Sequence, residues 1–226
     1  MENLTPDPEL LRSLGKLARG LSALFWGLPA TLIICAETAR VNFLQPFEIT
    51  PALIANALLL FGLWQIGGFQ KQERPWRNAL DRAMLLGLVN LSLCPFLFWF
   101  NRMPGQFYFR AAVLVLVVSA SLFLFNLNVV LKQLGAMLPD ETLRQDINLF
   151  TALNRWMLAA WLLFIAVVIV ILQFVNLSTL DPNILARFQP TAVIILLFLG
   201  LSPLAVTMAL IWKTKEVIFD SVFGAK

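Results

Sequence analysis

The sequence predicts an all-α integral membrane protein with six transmembrane helices. Of its 226 residues, 59% are hydrophobic and 13% are charged, whereas soluble domains average about 45–50% and about 25%. The hydrophobic residues also fall in continuous runs, unlike the short alternating segments that are typical of a transmembrane β-barrel. The same composition excludes a soluble globular domain, a disordered chain and a disulfide-rich scaffold.

Six apolar runs are long enough to cross the hydrocarbon core of a bilayer, which requires about 17–25 residues per helix. They cover residues 20–36, 52–68, 83–100, 111–131, 156–175 and 191–212. Together they define a six-helix domain over 20–212, which follows a cytoplasmic segment at 1–19 and precedes a cytoplasmic tail at 213–226.

The segment before the first run predicts an amphipathic helix in the membrane interface. Asp7 is a suitable N-cap residue, and Pro8 suits the first helical turn. Leucines share one face of the following turns, and basic residues share the other. We expect this helix to lie along the inner surface and the chain to enter the membrane at Gly20. No cleavage site of the A-x-A type follows, which predicts a retained anchor.

The distribution of Lys and Arg predicts that both termini are cytoplasmic. With the N-terminus inside, 13 of the 17 basic residues fall in inner segments, and the outer segments hold Arg40, Arg102, Arg110 and Arg187. This asymmetry accounts for the net charge of +4 without a nucleic-acid partner. We expect a protein of a bacterial inner membrane.

The tripeptide Leu-x-Arg, which we call the Leu-x-Arg step, precedes each span that runs outward. It occurs at Leu17–Arg19, Leu80–Arg82 and Leu153–Arg155. Two interpretations stay open. In one, the chain consists of three consecutive helical hairpins that repeat one unit. In the other, the step records only the positive charge that topology places at inner helix ends.

The sequence lacks the residues on which many catalytic and metal sites depend. It contains no histidine, which excludes His-ligated haem or metal centres and Ser-His or Cys-His nucleophiles built from this chain alone. No acidic or basic residue falls at the middle of a predicted span, and the phosphate-binding pattern G-x-x-x-x-G-K-[ST] is absent. We expect no cofactor, metal or catalytic residue.

Uncharged polar residues in the third and fourth spans are the candidate intramembrane contacts: Asn90, Ser92, Ser119, Asn126 and Asn128. Such side chains form hydrogen bonds between facing helices, each worth about 0.6–2 kcal/mol, or they line a hydrophilic path. Bonding between helices is the commoner role, and both roles stay open.

Two groups of residues are candidate contact sites at the membrane surfaces, one for an ion pair and one for docking or packing. Glu37 and Arg40 lie three residues apart after the first span, so they are expected to form an ion pair on one helix face. A stripe before the fifth span is either a cytoplasmic docking face for a partner or a surface that packs against the protein's own helices. It consists of Leu143, Ile147, Phe150 and Leu153.

Prolines and cysteines mark further features of the spans. Pro29, Pro95 and Pro203 lie inside predicted spans, where each is expected to kink its helix. Cys35 and Cys94 both approach the outer leaflet. A disulfide between them is compatible with this placement, although isolated packing cysteines are the commoner case.

These observations favour a non-catalytic integral membrane subunit, a scaffold or assembly element of a larger complex. Its partners would be membrane lipids and other membrane proteins or copies of itself. The alternative is the membrane component of a small-solute transporter that uses the polar faces of the third and fourth spans. A third class, an intramembrane enzyme that modifies lipids, finds no convincing catalytic pair in the chain.

Overall fold

The computed structural model describes residues 8–40, 47–69, 73–103, 105–137, 141–174 and 182–223. These residues form seven helices, and no strand occurs among them. The helices are α1 (Pro8–Arg40), α2 (Thr50–Ile66), α3 (Arg74–Leu93), α4 (Pro95–Arg102), α5 (Phe107–Met137), α6 (Glu141–Phe174) and α7 (Pro182–Phe223).

Four stretches within the described residues are long and apolar enough to cross a membrane. They are Arg12–Ala39, Arg74–Arg102, Phe107–Met137 and Arg144–Val167. Helix α2 is apolar but shorter, at 17 residues. The chain is therefore an all-helical protein with several potential membrane-spanning helices, which confirms the fold class at that level.

Helix α1 corrects the expectation of a separate interfacial helix before the first span. It runs without interruption from Pro8 to Arg40, so the chain does not turn at Gly20. The glycine serves close packing instead, because a Cβ atom there would lie 2.8 Å from the carbonyl oxygen of Gly62 on α2. Within the amphipathic segment, Leu14 packs against the core, and Leu17, like Leu21 beyond it, is fully buried.

Helix α6 likewise joins two elements that the sequence separates. The amphipathic stripe and the fifth predicted span form one continuous helix of 34 residues. Pro95 has the expected effect, because α3 ends at Leu93 and α4 begins at Pro95. Pro29 and Pro203, in contrast, lie within α1 and α7 without ending those helices.

The helices pack mainly as successive hairpins. Helix α1 packs against α2, α3 against α5, and α6 against α5 and α7, while α7 returns to α1. We call the end of the bundle formed by 12–19, 74–80, 132–137 and 211–223 the terminal end. The opposite end, formed by 95–103 and 105–112, carries stacked rings such as Trp99 and Phe109, and we call it the aromatic end.

The largest buried side chains belong to the half of the bundle at the terminal end. They include Leu17, Leu21, Leu63, Trp76, Leu127, Leu131, Leu134 and Ile147. A smaller cluster at the aromatic end contains Ala52, Cys94, Leu97 and Leu116.

The Leu-x-Arg steps do not occupy equivalent environments in the three hairpins. Leu17 and Leu80 belong to the core, whereas Leu153 is 50% exposed and its neighbour Asn154 is buried. This difference favours topology over an exact structural repeat as the origin of the pattern.

Candidate functional site

Three buried polar side chains from three helices meet at one hydroxyl group. Asn128 of α5 and Asn154 of α6 each donate an amide N–H to Oγ1 of Thr207 on α7, both at 2.9 Å. All three residues are at most 3% exposed. We call them the Asn–Thr–Asn cluster; it ties α5, α6 and α7 together within the apolar bundle.

The geometry of the cluster uses the full bonding capacity of the threonine hydroxyl. Thr207 donates its proton to the carbonyl oxygen of Pro203 at 2.8 Å and accepts two N–H groups, and a hydroxyl has one donor and two acceptor positions. The Asn128 amide nitrogen also donates to the Leu124 carbonyl at 2.7 Å. Because a carbonyl cannot accept from an amide oxygen, that second bond fixes the orientation of the Asn128 amide.

Oxygen atoms beside these bonds remain without partners. Three buried oxygen atoms have no hydrogen-bond partner: Oδ1 of Asn128, Oδ1 of Asn154 and Oγ1 of Thr151. Thr151 lies one turn from Asn154 on the same face of α6. Unpaired buried oxygens are uncommon in proteins, so these three atoms set this region apart from the rest of the α6 and α7 interior.

An ion pair between α6 and α7 lies toward the terminal end from the cluster. Lys213 Nζ donates to Oδ2 of Asp146, and the two side chains are 43% and 40% exposed. Asp146 precedes Asn154 by about 12 Å along α6, and Lys213 follows Thr207 by about 9 Å along α7. At this exposure the ion pair contributes about 0–1 kcal/mol to the free energy of unfolding. It therefore marks the boundary of the apolar region and adds little to the stability of the bundle.

A second polar pair lies near the middle of two candidate spans. Asn90 on α3 and Ser119 on α5 are both 5% exposed, and Oδ1 of Asn90 and Oγ of Ser119 have no partner. Two contacts between α3 and α5 lie on either side of these residues. Toward the terminal end, a Cβ at Gly87 would contact Phe123. Toward the aromatic end, Cys94 packs in one cluster with Leu116. Asn90 and Ser119 therefore lie at the same level across the α3–α5 interface.

The other sequence-predicted polar residues bond within their own helices. Ser92 is exposed and donates to the carbonyl of Leu88, and Asn126 donates to the carbonyl of Leu122, both at 2.9 Å. Of the five candidate contacts, Asn128 makes a hydrogen bond to another helix, and Asn90 and Ser119 are buried between helices.

The structure divides the predicted docking face. Ile147 is 1% exposed and packs against Gly135 of α5, and Phe150 packs against the same core. These two residues therefore face the protein's own helices, because the α5–α6 turn brings α6 back onto α5. Leu153 is exposed, and the side chain of Leu143 lies outside the described residues. The predicted pair of Glu37 with Arg40 is also untested, since the Arg40 side chain lies outside them.

Sequence reasoning missed two of the three cluster residues. Asn154 belongs to a Leu-Asn-Arg step that is read as the edge of an interfacial stripe, and Thr207 is a single hydroxyl in a long apolar run. The available signal was their placement four residues after Phe150 and Pro203, on helix faces that are otherwise apolar.

Among the described residues, no group of three or more His, Cys, Asp or Glu side chains is placed to hold a metal ion. Comparisons with protein-family models, with curated proteins and with solved structures found no match to this chain.

Proposed function

We propose that this protein is a non-catalytic integral membrane subunit that assembles with another membrane protein, or with a second copy of itself, through the exposed face of α6. The observation that carries the proposal is the combination of low burial and regular spacing on that helix. In the most apolar stretch of α6, 17% of the residues are buried, against 33–39% in the other three spans.

Large apolar side chains form a continuous seam along the exposed side of α6. Alternate spacings of four and three residues, with Ala160 filling one position, connect Leu149, Leu153, Trp156, Leu163, Val167 and Val170, which are 46–73% exposed. This is the seven-residue repeat of helices that pack in left-handed pairs.

Small residues flank the seam at the same period. Ala152, Ala159 and Ala166 are seven residues apart and exposed. Inside a membrane the hydrophobic effect does not drive helices together, so association depends on close van der Waals contact, which small residues allow. The large and small stripes together support a helix–helix interface.

The interior supports the role of a fixed scaffold. The Asn–Thr–Asn cluster uses its polar groups to join α5, α6 and α7. Membrane hydrogen bonds of this kind average about 0.6 kcal/mol each and reach about 1.7 kcal/mol. These bonds hold the side of α6 that faces the bundle and leave the seam free for a partner.

Six crossings with both termini in the cytoplasm are part of the proposal. Helix α2 is about 25 Å long and α7 about 63 Å long, so the first fits a thin apolar layer and the second extends beyond it. The basic residues concentrate at the terminal end, where Arg77, Lys132 and Lys215 are found. The positive-inside rule then favours the cytoplasm for that end, and the proposal places the protein in a bacterial inner membrane.

The test is cysteine cross-linking in a background in which Cys35 and Cys94 are replaced by alanine. Ala152→Cys and Ala159→Cys are expected to give a cross-linked product in native membranes. The matched control is Ala57→Cys, an exposed alanine on α2, which is expected to give none. The mass of the product distinguishes a second copy from another protein. Equal cross-linking at all three positions, or none at any, would contradict the proposal.

A small-solute transporter is the second candidate, and the unpaired oxygens of Asn90 and Ser119 favour it. Such atoms near the middle of two spans suit a solute that donates hydrogen bonds. If this function holds, Asn90→Leu abolishes uptake of a solute without loss of membrane insertion, whereas Asn126→Leu, whose amide bonds within α5, has a smaller effect. Unchanged growth and uptake for Asn90→Leu would remove this candidate.

A further inference from the structure

The two cysteines of the chain pack in one small apolar cluster at the aromatic end, although 58 residues separate them in the sequence. Cys94 is fully buried in this cluster, and Cys35 of α1 packs against it and is partly exposed. Both thiols are free. The bundle therefore brings the two cysteine side chains into one cluster.

The Cys94 thiol occupies a special position at the break between α3 and α4. Pro95 has no N–H group, so the carbonyl oxygen of Leu91 lacks the backbone donor that residue 95 would otherwise supply. The thiol of Cys94 donates to this oxygen instead, with Sγ 3.2 Å from it. The proton on the sulfur thus takes the place of the missing amide proton at the break.

The Cys35 sulfur accepts a contact from Asn56 of α2 and is also partly exposed. The amide nitrogen of Asn56 on α2 lies 3.8 Å from Cys35 Sγ and 2.9 Å from the carbonyl of Ala52. The amide therefore places a donor at the sulfur, which is compatible with a thiol and with a disulfide. Because Cys35 is partly exposed, a small oxidant can reach this sulfur first.

We propose that Cys35 and Cys94 form a reversible disulfide that joins α1 to the α3–α4 break and changes the hydrogen bonding of that break. The oxidant is a small disulfide, R–S–S–R. The Cys35 sulfur, after loss of its proton, attacks R–S–S–R and releases one R–SH. The Cys94 sulfur, also after loss of its proton, then attacks the mixed disulfide and releases the second R–SH. The two cysteines lose two electrons and the oxidant gains them.

The consequence at the break follows from the loss of the sulfur proton. Oxidised Cys94 has no hydrogen to donate, so the carbonyl of Leu91 loses the hydrogen bond from this thiol. Helix α4 is then held by the covalent bond to α1 and less firmly by its connection to α3. This inference does not depend on the proposed function, because it involves α1 and the α3–α4 break and not the exposed face of α6.

The test uses the full-length protein in detergent and dithiodipyridine as the oxidant, because each thiol that reacts releases a coloured thiopyridone. The expected result is two thiopyridones per protein, no pyridyl group retained, and a protein mass lower by two hydrogens. Two retained pyridyl groups would show that the thiols react separately and would overturn the proposal. Disulfide-linked dimers in place of the monomer product would also overturn it.

Two control variants make a negative result decisive. In a background with Cys35→Ala and Cys94→Ala, the pair Thr31→Cys and Ala55→Cys joins positions in contact across α1 and α2, where the Thr31 hydroxyl lies 3.1 Å from the Ala55 carbonyl. If this pair forms a disulfide and the native pair does not, the proposal is wrong. Cys35→Ala with Ala36→Cys moves the thiol to an exposed neighbour on α1, and a pyridyl adduct is expected to remain.

The hydrogen-bond change has its own measurement in amide hydrogen exchange. Oxidation is expected to make exchange in residues 96–102 about twofold to tenfold faster. Cys94→Ser keeps a donor for the Leu91 carbonyl and is expected to exchange like the reduced protein, whereas Cys94→Ala is expected to exchange faster. Equal exchange in the serine and alanine variants would refute the part of the proposal that concerns the break.

Discussion

Replacement of Thr207 by valine tests whether the Asn–Thr–Asn cluster holds the bundle together. Valine keeps the shape of the side chain and removes the hydroxyl that accepts N–H groups from α5 and α6. Asn128 retains its bond to the Leu124 carbonyl. Asn154, at 0% exposure, loses the acceptor that the structure gives its amide nitrogen.

The expected cost follows from that difference between the two asparagines. A buried donor that loses its acceptor costs about 1–3 kcal/mol, so Thr207→Val is expected to lower the free energy of unfolding by that amount. The matched control is Thr214→Val. Thr214 is one heptad further along α7, is also fully buried, and, among the residues that the structure describes, bonds to the Leu210 carbonyl of its own helix. Its loss leaves no donor unpaired and is expected to cost less than about 1 kcal/mol.

The assay is an unfolding titration of the purified protein with SDS in mixed micelles, followed by circular dichroism and by tryptophan fluorescence. The double variant Thr207→Val with Asn154→Leu is expected to recover part of the loss, because both partners of the bond are then apolar. If Thr214→Val destabilises the protein as much as Thr207→Val, the cluster is not a joint between helices, and the reasoning fails.

Three further predictions concern packing, the ion pair and topology. Gly20→Ala is expected to destabilise the protein, because its Cβ would meet the backbone of α2, whereas Gly15→Ala, with open space around it, is expected to stabilise α1 by up to about 1 kcal/mol; thermal unfolding of the pair checks both signs. Lys213→Ala is expected to change stability by at most about 1 kcal/mol, and a larger loss in the SDS titration would contradict the assignment of this pair to the boundary. Reporter fusions at Lys226 and in 101–110 are expected to report opposite sides of the membrane, and the same side for both would overturn the proposed orientation.

The sequence predicts the helices better than their boundaries. Continuous apolar runs identify the spans because a bilayer demands about 20 apolar residues per helix. The same rule gives no information on how far a helix continues into water, so the joining of the amphipathic segment to the span in α1 was not predicted. Gly20 illustrates the reason: as a residue type it indicates a break, but packing against Gly62 keeps it inside a helix.

The buried polar residues show a similar limit. Polarity in an apolar run identifies Asn128 as a contact, and the structure gives it a bond to another helix. The identity of the partner depends on the rotation of α6 and α7 about their axes, which the composition of a nearly all-round apolar helix does not define. For the same reason the stripe that contains Ile147 leaves open a docking face and packing against the protein's own helices, since a stripe predicts burial without specifying what buries it.

The seam on α6 is present in the sequence but is recognisable only with the fold. Leu149, Leu153 and Trp156 overlap the stripe that contains Ile147 and Phe150, and both stripes satisfy helical spacing. The packing of Ile147 against Gly135 establishes which stripe faces the bundle. The other is then left exposed, with its alanines at heptad spacing.

The most direct test of the proposed assembly is native mass spectrometry of the protein released from its own membranes. Assembly through α6 predicts a complex that contains a second polypeptide, retained in Ala57→Trp and lost in Ala159→Trp, because a tryptophan on the small-residue stripe of α6 prevents close approach. A wild-type protein that is released as a monomer, or a complex that survives Ala159→Trp unchanged, would contradict it.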